Sequence, residues 1–110
     1  MNKYNARKTI VDNIAFHSQK EANYYCELKL RRMAGDIQDF VLQPEFTLLD
    51  GFIDCTGKRQ RAMKYKADFT ILHNDESEEV VDVKGHKTKE YLIKKKLFLA
   101  KYPEYKFTEI

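Results

Sequence analysis

Two segments of the chain carry apolar residues at the spacing of an amphipathic helix. In the first segment, Ser18 opens an S-x-x-E capping pattern, and Gly35 marks the end. The apolar positions between them are Ala22, Tyr25, Cys26, Leu30 and Met33. They predict a helix over residues 19–34 in which this stripe faces the core.

The second helical segment lies between Thr88, a residue type that caps helices, and Pro103, which cannot continue one. It predicts a helix over residues 89–101. Its apolar arc consists of Leu92, Ile93, Leu97, Leu99 and Ala100. We expect this arc to face the core.

Alternation of apolar and polar residues predicts two strands that carry charged side chains. In residues 62–72 the apolar side chains occupy every second position, which places Asp68 in mid-strand on the polar face. In residues 79–84, Asp82 and Lys84 share one face, because side chains alternate with a period of two. If these strands are neighbours in a sheet, they bring the two carboxylates close together.

Two further strands complete the predicted set. Residues 40–49 form a strand that Pro44 interrupts, which predicts an edge position or a bulge. Asp50-Gly51 is a turn signal and predicts a hairpin after this strand. Residues 105–110 form the last strand.

Length and composition narrow the class of protein. At 110 residues, the chain fits a single α/β domain in the order α-β-β-β-α-β with a mixed central sheet, and residues 1–17 are a basic N-terminal arm. The 34% of charged and 43% of hydrophobic residues favour a folded globule over disorder. The two cysteines are too far from any matching histidine for a structural zinc site. No apolar run approaches the roughly 20 residues of a membrane span, and the N-terminus does not resemble a signal peptide. We therefore expect a cytoplasmic protein.

Asp68, Asp82 and Lys84 supply the groups that metal-dependent phosphodiester hydrolysis requires. Carboxylate oxygens hold Mg²⁺ or Mn²⁺, and a cation near the attacking water favours hydroxide and stabilises the developing charge. Val83 is a further candidate ligand through its backbone carbonyl. The D-x-K pattern alone has little specificity, and the alternative for Asp82 and Lys84 is a surface ion pair. The alternative for Asp68 is a solvent-facing strand residue, although aspartate is disfavoured in mid-strand.

A wider set of residues surrounds this pattern. It comprises Lys3-Tyr4-Asn5-Ala6, Phe16, Ser18, Glu21-Ala22, Leu42-Gln43-Pro44, Phe46, Tyr65, Ala67-Asp68-Phe69, Val81-Asp82-Val83-Lys84-Gly85, Lys94 and Lys96-Leu97-Phe98. Through these residues, and almost end to end, the chain resembles a group of small phage- and prophage-encoded endonuclease-like proteins related to Holliday junction resolvases. More broadly, an aspartate in mid-strand, a strand that ends in D-x-K-G, a preceding helix with a glutamate and a following lysine-rich helix together resemble the PD-(D/E)xK nuclease superfamily. Ala67 stands at the position of the superfamily's leading proline, which is itself variable.

The resemblance implies a restriction-endonuclease-like core in which Asp68 and Asp82 ligate metal and Lys84 assists the attacking water. It also implies that Glu21 faces them from the first helix, as a fourth catalytic residue and metal ligand. The alternative for Glu21 is structural, because the third helical position after Ser18 is where the glutamate of a capping box belongs.

Six residues are candidates for contact with nucleic acid: Lys94, Lys96, Gln43, Lys64, Lys66 and Arg61. The lysines of the second predicted helix either reach a phosphate at the metal site or extend into water. Gln43, before Pro44, touches either the active site or only an edge carbonyl. The basic run from Lys58 to Lys66 is either a DNA clamp or a solvated hairpin.

The expected function is hydrolysis of DNA by a Mg²⁺- or Mn²⁺-dependent endonuclease, with branched DNA such as Holliday junctions as the favoured substrate. A domain of 13.1 kDa has little surface with which to hold DNA alone, and symmetric junctions suit a twofold dimer, so we expect a homodimer. If a phage encodes the chain, it acts in the cytoplasm of the bacterial host.

Three alternatives remain open at this point. One is a non-catalytic nucleic-acid-binding module of the same fold, whose lysines contact backbone phosphates. Another is a nuclease for flaps, single strands or a short sequence, or one that acts only inside a larger recombination complex. The third, a structural or regulatory interaction protein, would leave the acidic residues unexplained.

Overall fold

Two helices and ten strands make up the part of the chain that the structure, a computed structural model, describes: residues 8–83 and 87–110. The helices are α1 (Gln19–Met33) and α2 (Lys89–Lys101). The strands are β1 (Thr9–Val11), β2 (Ile14–Phe16), β3 (Asp39–Leu42), β4 (Glu45–Leu49), β5 (Phe52–Ile53), β6 (Arg59–Gln60), β7 (Met63–Lys66), β8 (Phe69–Leu72), β9 (Glu78–Asp82) and β10 (Lys106–Glu109). Both predicted helices are confirmed, with Ser18 and Thr88 as their N-caps.

The central sheet has four strands in the order β10-β9-β8-β3. Strand β10 is parallel to β9, and the other neighbours are antiparallel. Helix α2 connects the two parallel strands, because parallel neighbours need a long crossover. The predicted α/β architecture with a mixed sheet is therefore confirmed. Within the described residues, neither helix has the length and the apolar character needed to cross a bilayer.

One long antiparallel hairpin extends from the sheet. Its outgoing side consists of β3, β4 and β5, and its returning side consists of β6, β7 and β8. The pairing keeps one register from the β3–β8 pair into the β4–β7 pair, and between them the Gln43 N–H donates to the Asp68 carbonyl oxygen at 2.9 Å. A bulge between Thr47 and Leu49 shifts the register before β5 and β6.

The turn of this hairpin lies at residues 54–58, so the prediction of a turn at Asp50-Gly51 is wrong. The Asp54 side chain accepts hydrogen bonds from backbone N–H groups within the turn, and Gly57 takes the left-handed φ of +82°. A Cβ atom on Gly51 would lie 3.2 Å from a carbonyl oxygen of the facing strand. This glycine therefore allows a close approach of two strands and does not form the turn.

The sheet separates two hydrophobic cores. The core on the α1 side includes Phe69, Ile71, Val81 and Val83, and the core on the α2 side includes Tyr65, Ala67, Val80 and Phe98. Val80 and Val81 are consecutive residues of β9, so their side chains point to opposite faces of the sheet. Helices α1 and α2 therefore cover opposite faces.

The strand predicted over residues 62–72 is broken between β7 and β8. Alternation places Tyr65 and Phe69 on one side of a regular strand, yet Tyr65 packs in the α2 core and Phe69 in the α1 core. On the facing strand, Gln43 has a φ of +49°, a left-handed conformation that is uncommon for residues other than glycine. The hairpin kinks here, and its apolar face passes from one core to the other. Asp68 consequently lies at the kink and not in mid-strand as predicted.

The buried faces of both helices differ from the predicted faces. Helix α1 buries Glu21, Ala22, Tyr25 and Leu28. The predicted stripe residues Leu30 and Met33 are 66% and 81% exposed. Helix α2 buries Tyr91 and Phe98, and every residue of its predicted apolar arc is exposed. These two aromatic residues lie nearly two turns apart on the same side of α2. The burial of their large rings therefore decides which face of the helix packs against the sheet.

The described part of the predicted N-terminal arm, from Lys8 onward, includes a hairpin of β1 and β2. At its turn, Asp12 and Asn13 have φ values of +53° and +64°, as a type I′ turn requires. The Tyr25 hydroxyl of α1 donates to the Asp12 carboxylate at 2.8 Å, and Phe16 is 1% exposed. This hairpin therefore packs against α1.

Candidate functional site

Asp68 and Asp82 lie side by side, directly before β8 and at the end of β9. The Asp68 N–H donates to Oδ1 of Asp82 at 3.1 Å. In return, the Val83 N–H donates to Oδ2 of Asp68 at 2.7 Å. The N–H of Asp68 thus holds the Asp82 carboxylate, and the N–H of the residue after Asp82 holds the Asp68 carboxylate. The predicted juxtaposition of these two residues is present, although the kink and not a continuous strand produces it.

The two carboxylates differ in their exposure. Asp82 is fully buried, and its Oδ2 accepts a hydrogen bond from the Tyr65 hydroxyl. Asp68 is partly exposed. Among the described residues, hydrogen bonds to the Asp68 side chain reach only Oδ2, which leaves Oδ1 available to another ligand. Asp82 is therefore the anchored member of the pair, and Asp68 is the member that solvent reaches.

A third carboxylate lies on the neighbouring strand. Glu109 of β10 is the register partner of Asp82 of β9. It accepts hydrogen bonds from the Tyr91 hydroxyl at 2.5 Å, from Lys95 Nζ at 2.9 Å and from Lys87 Nζ at 3.3 Å. Tyr91 and then Lys95 are the main causes that lower the pKa of Glu109 to about 2. Glu109 is thus ionised and bound to α2 at neutral pH.

Tyr91 connects this group with the aspartate pair. Burial is the main cause that raises the pKa of Tyr91, followed by its hydrogen bond to Glu109 and by the negative charge of Asp82. The charge of Asp68 raises this pKa further. The Tyr91 ring also lies 6.4 Å from the ring of Tyr65, measured between centroids. Tyr91 therefore remains a protonated phenol next to the carboxylates.

An open depression of about 250 Å³ adjoins these tyrosines on the α2 side. It is lined by Tyr65, Lys66, Thr88, Glu90, Tyr91 and Lys94. Lys94 Nζ lies 3.3 Å from a carboxylate oxygen of Glu90, which is largely exposed. Such an exposed ion pair contributes little stability, so Lys94 can exchange this partner for another anion. The depression combines lysines with the tyrosine that binds Asp82.

A protein-family model matches residues 1–110, and its description is Protein of unknown function (DUF1064). The chain belongs to this family. Comparisons with curated proteins and with solved structures found no match. The family match spans every candidate site residue of the DUF1064 chain, and the family's description assigns no activity to them.

Two predicted members of the site immediately follow Asp82 in the DUF1064 chain. Val83 is 8% exposed, its side chain packs in the α1 core, and its N–H holds Asp68. The use of its carbonyl oxygen as a metal ligand stays a prediction. Lys84, the predicted catalytic lysine, lies outside the described residues.

Glu21 lies in the first turn of α1 and is 3% exposed. Its N–H donates to the Ser18 side chain at 3.0 Å, as the predicted cap requires, and its carboxylate lies 3.9 Å from Nδ1 of His17. Within residues 8–83 and 87–110, no group of three or more His, Cys, Asp or Glu residues is arranged to hold a metal ion. The structure thus pairs Asp68 with Asp82 but does not form a three-acid group with Glu21.

Three of the predicted nucleic-acid contacts lie near the aspartate pair. Lys66 and Lys94 line the depression. Gln43 meets Asp68 through the backbone hydrogen bond at the kink, and its side chain is partly exposed. These three residues therefore lie near the pair, two on the long hairpin and one on α2.

The other three predicted contacts lie elsewhere in the DUF1064 chain. Arg61 and Lys64 are exposed on the long hairpin, where Lys64 Nζ lies 3.3 Å from the Glu45 carboxylate. Lys96 is exposed on the outer surface of α2, among the side chains of the predicted apolar arc. The structure does not bring Lys96 to the depression.

Sequence reasoning did not assign Tyr65, Tyr91 or Glu109 to the site. Alternation along a regular strand places Tyr65 on the face opposite to Asp68, and only the kink turns its hydroxyl to Asp82. For the two tyrosines, one general signal was available: a buried tyrosine needs a hydrogen-bond partner for its hydroxyl group. For Glu109, the signal in the sequence is a carboxylate within the last predicted strand.

Proposed function

We propose that this chain is a metal-dependent DNA endonuclease with a PD-(D/E)xK nuclease-like fold and that Asp68 and Asp82 are its catalytic carboxylates. One observation carries the proposal: the two carboxylates lie together at the ends of adjacent strands, one fully buried and the other open to solvent. A pair of ionisable residues, one buried and one reached by solvent, beside a depression lined by two lysines is a typical arrangement of an active site.

The donor set fits Mg²⁺ or Mn²⁺. These ions prefer oxygen ligands, and Mg²⁺ is usually held by one or two carboxylates together with water and substrate phosphates. Oδ1 of Asp68 is available for this purpose, and we propose the backbone carbonyl oxygen of Val83 as a further ligand. Glu21 stays a ligand proposed from the sequence alone, because the structure does not group it with the two aspartates. When bound, the ion would supply Lewis-acid stabilisation of the phosphate and a lower pKa for the attacking water. We propose Lys84 as the cation that assists this water.

The described groups around the two aspartates have separate roles in this proposal. The Tyr65 hydroxyl and the Asp68 N–H fix the orientation of Asp82. Lys66 and Lys94 attract a DNA phosphate into the depression, where their positive charge favours binding. Positioning of this kind lowers the barrier because the reacting groups are held in place before the reaction begins.

We further propose branched DNA, such as a Holliday junction, as the substrate and a homodimer as the active form. A twofold dimer supplies two equivalent sites, which suits two equivalent strands of a junction. The proposed place of action is the cytoplasm, in a bacterial host if a phage encodes the chain.

The central test measures cleavage of four DNA forms with Mg²⁺ or Mn²⁺: a four-way junction, a flap, a duplex and a single strand. Wild-type protein should cut at least one of them. Asp82→Asn and Asp68→Asn should each lower the cleavage rate by about a hundredfold or more, because each removes a charge on which the reaction depends. Both variants should bind DNA as tightly as wild type or more tightly, since a negative charge beside the phosphate is lost.

Asp36→Asn is the matched control, because Asp36 is exposed and lies away from the pair, after α1. It should cut DNA as wild type does. DNA binding measured without added metal shows that each variant is folded. If the wild type binds DNA but cuts none of the four forms with either metal, the chain is a binding module and the proposed enzyme function is wrong.

A further inference from the structure

The end of the long hairpin is not covered by the rest of the chain. We call residues 50–62 the distal ribbon; it contains β5, β6 and the turn between them. In the described chain, neither hydrophobic core includes any of these residues. Phe52 and Ile53 are 47% and 60% exposed, although they are large and apolar. Core packing therefore does not explain why the hairpin extends this far.

The distal ribbon also carries exposed positive charge. Lys58, Arg59 and Arg61 are all exposed, and no carboxylate among residues 8–83 and 87–110 lies within 4.0 Å of their charged groups. Asp54, in the turn, instead accepts hydrogen bonds within the ribbon, including one from Gln60 Nε2 at 2.9 Å. The three cations are thus available to an anionic partner.

We propose that the distal ribbon is a DNA-binding arm that enters a groove of duplex DNA next to the cleavage site; this inference rests on the proposed nuclease function. The major groove of B-DNA is wide enough to admit a two-stranded β-ribbon. In this arrangement, Lys58, Arg59 and Arg61 contact backbone phosphates, and Phe52 and Ile53 contact sugars and base edges. In the major groove, apolar side chains such as phenylalanine can contact the methyl group of thymine.

The distance along the ribbon fits a single duplex. Arg59 and Asp68 belong to the same side of the hairpin, and a strand rises about 3.3 Å per residue, so they are at most about 30 Å apart. One turn of B-DNA is about 34 Å long. A duplex bound at Asp68 therefore meets the ribbon within one turn. An anionic membrane would also attract these side chains. Binding to a membrane, however, would not explain why the ribbon belongs to the same hairpin as Asp68.

The first test removes the three charges. Lys58→Gln/Arg59→Gln/Arg61→Gln is compared with Lys20→Gln/Lys101→Gln/Lys106→Gln, which removes three exposed charges from other elements. Affinity for a duplex, measured without metal, should fall on the order of 10- to 100-fold in the ribbon variant, and its logarithmic salt dependence should flatten by about 2 to 3. The control should change less than about threefold. An equal loss in both variants, or in neither, would overturn the proposal.

The second test uses the two cysteines of the chain, which are both free and exposed. Cys55 lies in the turn of the distal ribbon, and Cys26 lies on α1. A thiol-reactive photocrosslinker is attached to Cys55 in Cys26→Ser protein and to Cys26 in Cys55→Ser protein. Cys55 should crosslink to duplex DNA and Cys26 should not. Equal yields at the two positions, or no product from Cys55, would contradict a DNA arm.

These binding tests separate the ribbon from the catalytic proposal. If Asp82→Asn abolishes cleavage while the ribbon variant binds DNA as wild type does, the arm is wrong and the nuclease stands. If the ribbon variant loses affinity but the wild type never cuts DNA, the arm stands and the nuclease is wrong. If the ribbon variant loses binding only to vesicles of phosphatidylcholine and phosphatidylserine, the ribbon binds membranes and the DNA arm is wrong.

Discussion

Asp82 is the residue on which the site depends, because a fully buried carboxylate is stable only where hydrogen-bond donors replace its lost water. Two such donors bind its two carboxylate oxygens. The Asp68 N–H reaches Oδ1, and the Tyr65 hydroxyl reaches Oδ2. The Tyr65 hydroxyl comes from the α2 core, so this residue links the orientation of Asp82 to the packing of a helix.

Tyr65→Phe tests this link. The variant keeps the ring in its core but removes a donor from a buried carboxylate, so the free energy of unfolding should fall by about 1–3 kcal/mol. Tyr102→Phe is the matched control, because its hydroxyl donates to the neutral carbonyl of Thr47 at 2.9 Å, and it should cost about 1 kcal/mol or less. Urea unfolding measures both.

Combining Tyr65→Phe with a substitution of Asp82 tests the same link. If Tyr65 acts through Asp82, the combined effect of Tyr65→Phe and Asp82→Asn on stability should be smaller than the sum of the two single effects. In the cleavage assay, Tyr65→Phe should slow the reaction without abolishing it. Additive effects on stability would show that the hydroxyl and the carboxylate are not coupled.

At the same scale, the sequence predicted that Asp68 and Asp82 lie together, but it predicted neither the kink that places Asp68 there nor the partners of the pair. A period of two along a strand predicts that Asp82 lies on a defined face of β9. The position of Tyr65 depends on Gln43 taking a left-handed φ on the facing strand, which no local pattern indicates. The periodicity of the sequence therefore cannot predict the orientation of a site side chain that depends on the kink.

At the scale of elements, local sequence signals predicted where each helix begins and ends better than they predicted which face of the helix is buried. Ser18, Thr88 and Pro103 act through the backbone of their own segment, so the ends of α1 and α2 follow from them. The face that a helix buries depends on the shape of the surface it covers. On α2, Tyr91 and Phe98 fill that surface, and the aliphatic arc remains outside.

A comparison of neighbouring residues on α2 tests which face is buried. Phe98 is fully buried and packs against the rings of Phe46, Tyr65 and Tyr102, so Phe98→Ala should lower the free energy of unfolding by about 3–5 kcal/mol. Leu97 is 40% exposed, so Leu97→Ala should cost below about 1 kcal/mol. The predicted apolar arc implies the reverse order. Urea unfolding of both variants decides between the two faces.

Glu109 ties α2 to β10, and this tie should depend on pH. The folded pKa of Glu109, about 2, lies below its ordinary value of 4.5. The ionised carboxylate therefore contributes stability above about pH 4.5, and this contribution is lost as the pH falls toward 2. Glu109→Gln should be less stable than wild type at neutral pH, and the difference should shrink between about pH 4.5 and 2. A difference that is constant with pH would contradict the role of the charge.

On the scale of the whole molecule, the aspartate pair lies where the hairpin passes from the α1 core to the α2 core. Val83 packs on one side of this boundary, and Tyr65, which holds Asp82, packs on the other. Both cores therefore fix the pair from opposite sides. The same kink directs the hairpin away from the sheet, so one local change of conformation positions both the carboxylates and the ribbon.

Each chain contributes one such pair, so the proposed homodimer has two sites, and cutting both strands of a junction requires both. A mixed dimer of wild-type and Asp82→Asn chains, isolated through two different affinity tags, should therefore cut only one strand. On a supercoiled plasmid with a cruciform, the wild-type dimer should give linear DNA, and the mixed dimer should give nicked circles. The homodimer of Asp82→Asn is the control and should give neither product. Failure to recover a doubly tagged species, or linear DNA from the mixed dimer, would contradict a twofold enzyme with one cut per chain.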